Sequence, residues 1–339
     1  MQITALTQKL EQRCDLSVQE TKALFDLIFA GELSADAIKT ILLGLHDKGE
    51  SLSEIEGAVQ AMRGSMLAIN APADAIDIVG TGGDGQNTFN VSTAAAFVAS
   101  GAGACVAKHG NRAATSMAGS SDVLALLGIN LDAPFELLER ALGEIGIAFL
   151  FAPRHHPAMR FVAPVRKTLG VRTIFNLLGP MTNPANVKRH LIGVFDPVWR
   201  KPMTETLATL GSETAWVVHG DSGLDEVSST GPTSVVALGN GQIQELMIEP
   251  ESFGLPRTSL EAIRGGKPEE NARALIRLFE GEAGPYRTIV LLNAACALIV
   301  AGKASTYAEA QALAATAIDS GAALAKLKAL ARVTNGQTA

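Results

Sequence analysis

Apolar positions along the chain change their spacing near residue 70. Before it they recur at three- and four-residue intervals: Ala23, Leu24, Leu27 and Ile28, then Ile38, Ile41, Leu42 and Leu45. That period predicts amphipathic helices, so residues 1–70 read as all helix. Gly31 stops the first run, Ser34 caps the second, and that second run ends near Gly49. Ser53-Glu54-Ile55-Glu56 reads as a capping box for a third helix reaching about Met66. From Pro72 the pattern becomes short apolar runs alternating with helical stretches. Ala75–Val79, Ala104–Ala107, Ile147–Phe151, His190–Phe195 and Thr214–His219 read as strands. Helices are expected from Ser120 to Leu127, from Pro134 to Ile145, and over Ala158–Leu178 and Trp199–Leu210. Regular alternation of this kind implies a parallel sheet with helices on both faces. Thr233–Leu238 and Gln242–Ile248 flank Gly239-Asn240-Gly241, a hairpin signal that adds an antiparallel extension. From Pro268 the chain is helical to near Leu330, punctuated by Pro285, Gly302 and Gly321. The expected fold class is therefore α/β. A small N-terminal helical domain (1–70) precedes a larger α/β domain (71–339) with a mainly parallel central sheet.

Composition narrows the function. With 339 residues, 47% apolar and 18% charged, the chain can bury a large core as a compact enzyme would. Its net charge of −6 gives no support for nucleic-acid binding. Cys14, Cys105 and Cys296 are scattered without ligand spacing and read as core fillers or free thiols of a reducing, cytoplasmic setting. Met1–Cys14 shows no leader pattern, and Ile289–Ala301, interrupted by Asn293, is too short to span a bilayer and reads as a buried helix. No membrane partner is expected.

The chemistry gathers between Asp77 and Asp122. The run Ala75–Val79 breaks into GTGGDG at Gly80–Gly85, and Ala104–Ala107 ends in Lys108-His109-Gly110-Asn111-Arg112. Each puts a glycine-bearing loop at the carboxyl end of a strand, where open α/β sheets hold ligands. Glycines let the backbone approach a ligand closely, and successive N–H groups beside a helix N-terminus make an anion cradle. Asn90, Ser92 and Thr93 add donors at the following helix start, and Lys108 and Arg112 add charge from the neighbouring loop. Neither loop fits the Walker or Rossmann glycine spacing. A structural turn explains either loop alone; together they point to a phosphate site. No HxxxH or HExxH occurs, so zinc is not expected. His109 and His156 are expected to line the cleft. The adjacent carboxylates Asp225 and Glu226 on a loop read alone as a solvated pair.

GTGGDGQNTFNVSTAAAFVASG, VAKHGNRAATSMAGSSDVL, FLFAPRHHPAMRFVAPVRKTLGVRTIFNLLGPMTNPA and SGLDEVS together resemble the anthranilate phosphoribosyltransferases over almost the whole chain. The resemblance implies transfer of a phosphoribosyl group from 5-phosphoribosyl-1-diphosphate to anthranilate in tryptophan biosynthesis. It assigns the sugar diphosphate to Gly80, Gly83, Asp84, Thr88, Asn90, Val91, Ser92 and Thr93. Lys108, His109, Gly110, Asn111, Arg112, Ala113, Ala114, Thr115, Ser116 and Ser120 join them. It gives anthranilate to Gly80, Asn111 and Arg166, where a guanidinium suits a carboxylate. It gives Mg²⁺, as two ions, to Asp225 and Glu226 with Ser92 at the other ion, and no residue acts as a general base. Asp84 is loop architecture that orients a loop N–H or hydroxyl. The resemblance also returns residues of about 158–184 to the helical domain and makes that domain the contact of a homodimer. Lys167 and Arg172 remain a solvated helix side. Thr115 stands for a serine, Met117-Ala118 for commoner polar residues, Ser121 for an alanine and His155 for a common tyrosine. The pyrimidine nucleoside phosphorylases share a similar KHGNR loop, but they resemble this chain less, being longer and lacking the PVR…RTIFN…GP…NP block.

Overall fold

The structure, a computed structural model, describes residues 3–112 and 117–339. It opens on helices α1 (Ile3–Glu11), α2 (Val18–Ala30), α3 (Ala35–Lys48) and α4 (Leu52–Ser65). The start of the chain is helical as expected of residues 1–70, and Leu6 and Leu10 are the buried positions of α1. Ser34 caps α3 and Gly31 ends α2 in the left-handed region at φ 75°, as their positions imply. The capping box of α4 falls two residues earlier than expected, on Ser51 with Glu54. The hydroxyl of Ser53 is taken instead by the Leu16 carbonyl at 2.7 Å. Glu54 accepts from the N–H groups of Ser51 (2.8 Å) and Leu16 (3.0 Å) and pairs with the buried Lys48 at 2.9 Å. One carboxylate therefore fixes where α4 starts and where α1 hands over to α2.

Beyond Pro72 come β1 (Ile76–Gly80), α5 (Val91–Gly101), β2 (Val106–Gly110), α6 (Ser120–Leu126), α7 (Phe135–Glu144) and β3 (Ile147–Phe151). The chain then crosses back through α8 (Ala152–His155), a 3-10 turn (Pro157–Phe161), α9 (Ala163–Leu169) and α10 (Phe175–Leu178). The single helix expected over Ala158–Leu178 is in fact this series of turns. Gly170 at φ 66° ends α9, and Pro157, Pro164 and Pro180 have no N–H to continue a helical ladder. Val162, Val165, Ile174 and Phe175 pack with Leu24, Phe25 and Ile28 of α2, and the Phe25–Phe175 ring centroids lie 5.7 Å apart.

The remaining elements are β4 (Arg189–Gly193), α11 (Arg200–Thr209), β5 (Thr214–Gly220), β6 (Thr233–Gly239), β7 (Gln242–Ile248), α12 (Pro268–Phe279), α13 (Pro285–Val300), α14 (Tyr307–Asp319) and α15 (Ala322–Thr334). Among the described residues, seven strands form one sheet in the order β3-β2-β1-β4-β5-β6-β7. β1 to β5 are parallel, and β6 and β7 are antiparallel. Asn240 (φ 51°) and Gly241 (φ 71°) turn the last hairpin, both left-handed as a two-residue Asn-Gly loop requires. One face of the sheet is covered by α5, α7, α13, α14 and α15; α13 is buried along nearly its whole length. On the other face Ile192, Val194 and Val217 meet Met203 and Leu207 of α11, and that apolar layer continues into α2–α4. The strand order reverses at β1, since the chain moves outward to β3 and returns to β4 on the other side. A crevice outside the carboxyl ends of the strands is the consequence. No helix among the described residues is long and apolar enough to cross a membrane.

Gly57 of α4 shows how tight the helical layer is. A Cβ there would strike the Val18 carbonyl oxygen and sit 2.8 Å from Thr21 Cβ and 2.9 Å from Lys22 N. Gly57→Ala should therefore destabilise the chain by about 1–3 kcal/mol despite alanine's better helix propensity. The shift of the urea midpoint measures it.

Candidate active site

A cleft of about 410 Å³ lies at the carboxyl ends of β1 and β2, within the usual size of small-molecule sites. Gly80, Gly83, Asp84, Thr88, Asn90, Val91 and Ser92 line one side, with Lys108, His109, Gly110, Asn111, Arg112 and Ser120 adjoining. Arg166 enters from α9, and Asp225 and Glu226 from the loop after β5. Thr93 stands behind the lining, fully buried, with its hydroxyl on Ser120 Oγ at 2.8 Å. The expected contributions of Ala113, Ala114, Thr115 and Ser116 lie outside the described residues. Asn90 precedes α5 without capping it. Its amide ties to the Ala118 carbonyl (3.1 Å) and its carbonyl accepts from Asn271 (2.9 Å), bracing the loop between α6 and α12.

Asp225 and Glu226 are not the solvated pair their adjacency suggests. They run across the carboxyl ends of β1 and β4, where Gly80 and Gly193 are register partners. A Cβ on Gly193 would fall on the Asp225 carbonyl, and one on Gly80 would lie 2.9 Å from Asp225 Cγ. Only two glycines side by side leave room for this segment. Gly193 thus makes room for the site and was passed over by the sequence reading; its signal was a glycine inside the apolar run His190–Phe195. Asn293, in the apolar stretch of α13, accepts from Val227 N–H at 2.9 Å and donates to its carbonyl at 2.8 Å, clamping the segment from below.

The two carboxylates occupy part of the anion cradle themselves. Gly82 N–H donates to Asp225 Oδ2 at 2.6 Å, and Ser92 N–H, in the first turn of α5, donates to Glu226 Oε1 at 3.1 Å. Those N–H groups are not free for phosphate, which corrects the simple cradle. The helix N-terminus stabilises the negative charge it receives. Even so, burial and the proximity of Asp84 and Glu226 raise Asp225 well above the usual carboxylate range. Burial likewise pushes Glu226 up to about 7, against the pull of Lys108 and Ser92. Asp84 accepts from Gln86 N–H at 3.1 Å, the loop-orienting role expected of it, while its buried Oδ2 has no partner. Three crowded carboxylates and an orphaned oxygen fit a hard divalent cation, which takes oxygen ligands. Among the described residues no group of three His, Cys, Asp or Glu side chains is placed to hold a metal alone. Such an ion would complete its shell with substrate oxygens and water.

Lys108 is not a loop cation but a buried one. It lies within β2, and its ammonium donates to the Ile78 carbonyl at 2.5 Å and to Ser92 Oγ at 3.2 Å. Burial lowers its pKa, while Asp77, Glu226 and Asp225 hold the charge on it. His109 lines the cleft, with Nδ1 on the Gly179 carbonyl at 3.1 Å. His156 does not line it: its ring stands behind His109, with centroids 5.2 Å apart. His155 is also outside the lining, stacked on Phe135 at 4.6 Å with Nδ1 on the Leu67 carbonyl at 2.8 Å.

Arg166 is half-buried over the Phe175 ring at 5.3 Å and donates to Asn176 Oδ1 at 3.4 Å. Arg172, read as a solvated residue, is exposed and also lines the cleft. Its guanidinium stacks on Phe195 at 3.9 Å and donates to the Gly83 carbonyl, joining the crossing segment to the glycine loop. Position on a basic helix side hid this, because Arg172 follows the Gly170 break and no longer shares that face.

A doubly wound sheet with glycine loops, buried carboxylates and an all-helical cap defines a two-domain glycosyl transferase. The family models that match are the glycosyl transferase family helical bundle domain over residues 4–66 and the a/b domain over 72–324. Within that class the chain belongs to the anthranilate phosphoribosyltransferase family. It is 52% identical over 322 residues to the anthranilate phosphoribosyltransferase of Parvibaculum lavamentivorans, covering 95% of this chain and 94% of the relative. The crystal structure of the Thermus thermophilus enzyme matches with a TM-score of 0.92 and 44% identity, over 97% of this chain and 99% of that one. The Saccharomyces cerevisiae enzyme, in complex with PRPP and Mg, matches with a TM-score of 0.90 and 30% identity over 98% of both.

His156 makes the site's surroundings acid-sensitive. Burial, then His155 beside it, lowers its pKa from 6.5 to about 4, so the fold holds it neutral. The unfolded chain takes up this proton below pH 6.5 and the folded chain does not until about 4, so stability falls as pH drops through that window. Relative to His156→Gln, the wild type should lose about 2–3 kcal/mol of unfolding free energy from pH 7 to 4. Denaturant titrations of both proteins across that range check it.

Proposed function

We propose that this chain transfers the phosphoribosyl group of 5-phosphoribosyl-1-diphosphate to the amine of anthranilate, giving N-(5-phosphoribosyl)anthranilate and diphosphate in tryptophan biosynthesis. One observation carries the reading: a single cleft opposes a buried Asp-Glu pair at the sheet edge to the Arg166 guanidinium on the helical side. The first suits a metal-bound diphosphate and the second an aromatic carboxylate. The arylamine is neutral at pH 7, so its lone pair attacks the sugar C1 without a general base as the C1–oxygen bond to diphosphate breaks, and the nitrogen then gives up one proton to water or the departing diphosphate. Charge spreads over an oxocarbenium-like sugar, as in glycoside cleavage. The chain's task is positioning and stabilisation of the departing charge.

The same reading distributes the residues. The sugar diphosphate lies against Gly80, Gly83, Asp84, Thr88, Asn90–Thr93, Lys108–Ser116 and Ser120. Anthranilate meets Gly80, Asn111 and Arg166. Mg²⁺, two ions in this proposal, is held by Asp225 and Glu226 and at Ser92, and when bound it would offset the diphosphate charge. Residues 1–70 with about 158–184 act as one unit and 71–339 as the other. The helical unit forms a homodimer in the cytoplasm. Support comes from the Saccharomyces cerevisiae relative, whose complex holds PRPP and Mg.

Loss of anthranilate fluorescence on adding the sugar diphosphate and Mg²⁺ tests the activity directly; a flat trace with folded protein overturns it. Arg166→Ala should raise the anthranilate KM roughly 10- to 100-fold, the weight of a charged hydrogen bond, and leave the donor KM near its original value. Asp225→Ala with Glu226→Ala should abolish Mg²⁺-dependent turnover; retained activity moves the metal elsewhere.

A further inference from the structure

The sheet is split where the site needs it, and side chains seal the split. β1 and β2 are paired only at Ile76↔Val106, while β1–β4 pairing runs to Gly80↔Gly193 and β2–β3 pairing to Gly110↔Phe151. A parallel ladder continued from Ile76 would join Ile78 N–H to the Ala107 carbonyl and His109 N–H to the Ile78 carbonyl. Side chains take three of these four groups. His109 N–H donates to Asp77 Oδ1 at 3.0 Å. The Ala107 carbonyl accepts from Asn183 Nδ2 at 2.7 Å, and the Ile78 carbonyl accepts from Lys108 Nζ at 2.5 Å. Asn183 Nδ2 donates to Asp77 Oδ2 as well, at 2.8 Å, and Asn183 Oδ1 accepts from Ala185 N–H. Asp77 is fully buried and Asn183 nearly so.

We propose that Asp77 and Asn183 are positioning residues, a polar wedge that holds the ends of β1 and β2 apart so that the two glycine-bearing loops stand on opposite sides of the donor. Buried backbone groups must be paired, so strands can part only where something replaces the ladder. Without the wedge the strands would zip toward Gly80 and Gly110, closing the floor between them. Lys108, His109 and Asn111 all follow Val106, where the β1–β2 ladder stops. Asn183 belongs to the segment that crosses back from α10, so the wedge also ties that crossing to the sheet. Neither residue lines the cleft. They act through Lys108 and His109, and the inference rests on the activity proposed above.

Three readouts on the full-length chain test it. Asp77→Asn keeps the shape but sets an amide against the Asn183 amide, two donors facing. Its donor kcat/KM should fall roughly 10- to 100-fold, the scale that about 1 Å of misplacement reaches, mostly through a raised donor KM. The anthranilate KM should change by less than about threefold. The His109 amide proton, losing a charged acceptor, should move upfield in the spectrum of the ¹⁵N-labelled chain. Adding Asn183→Asp to that variant lets the amide introduced at 77 donate to the carboxylate introduced at 183, and should recover part of the donor affinity, whereas Asn183→Asp alone should be impaired. If Asp77→Asn does not fold, Asn183→Ala, which keeps the His109 N–H bond to Asp77, should show the same donor-selective loss at smaller size. Donor kinetics within about twofold of wild type overturn the wedge. So does a fall in kcat alone with both KM values and the His109 amide unchanged, the mark of lost active protein. A wild type that turns over nothing refutes the proposed activity instead, while the His109 shift still judges the wedge.

Discussion

Asp225, buried, and Glu226, half-buried, cross the carboxyl ends of β1 and β4, and much of the surrounding structure answers the charge they bring. Charge buried without partners is strongly unfavourable, so each compensating group is visible. Gly80 and Gly193 give the segment room, Asn293 clamps it, Gly82 and Ser92 supply N–H donors, and Lys108 supplies a cation. The compensation is incomplete, because Asp84 adds a third carboxylate and both acids remain shifted toward the protonated form. What remains uncompensated is negative charge, which a divalent cation would offset. The site is thus built as a deficit of positive charge rather than as a ready-made anion hole.

The helical layer gives the opposite wall its different chemistry. Arg166 rests over Phe175, whose ring belongs to the same aromatic cluster as Phe25 and Phe29. A guanidinium on an aromatic face is held in place while its N–H edge stays available. Arg172 reaches the other way, from the crossing segment to the glycine loop. Arg172 thus links the two walls above the continuous apolar base that joins α11 to α2–α4.

Elsewhere the molecule follows local rules closely: apolar strands, capped helices, an Asn-Gly hairpin. Around the cleft it breaks them, with an aspartate inside β1, a lysine inside β2 and a ladder that stops after one pair. Such departures are expected where a fold gives up local consistency for a site. Here each is matched by a named partner, so the departure creates a polar floor and not a defect.

The sequence by itself determined the helical start, the strand–helix alternation, the hairpin and both glycine loops, because periodicity and turn chemistry are local properties. Its motif runs also named the family and most of the lining. It misjudged Ser53, whose hydroxyl is claimed by a carbonyl 37 residues away, and the break after Gly170, which depends on how the crossing segment packs. Arg172, Gly193, His156 and Asp77 were decided only in three dimensions. Each owes its role to a neighbour distant in sequence: the Gly83 carbonyl, the Asp225 backbone, the His109 ring and the Asn183 amide. Spacing along one chain segment carries no record of such contacts; the order of strands in the sheet creates them.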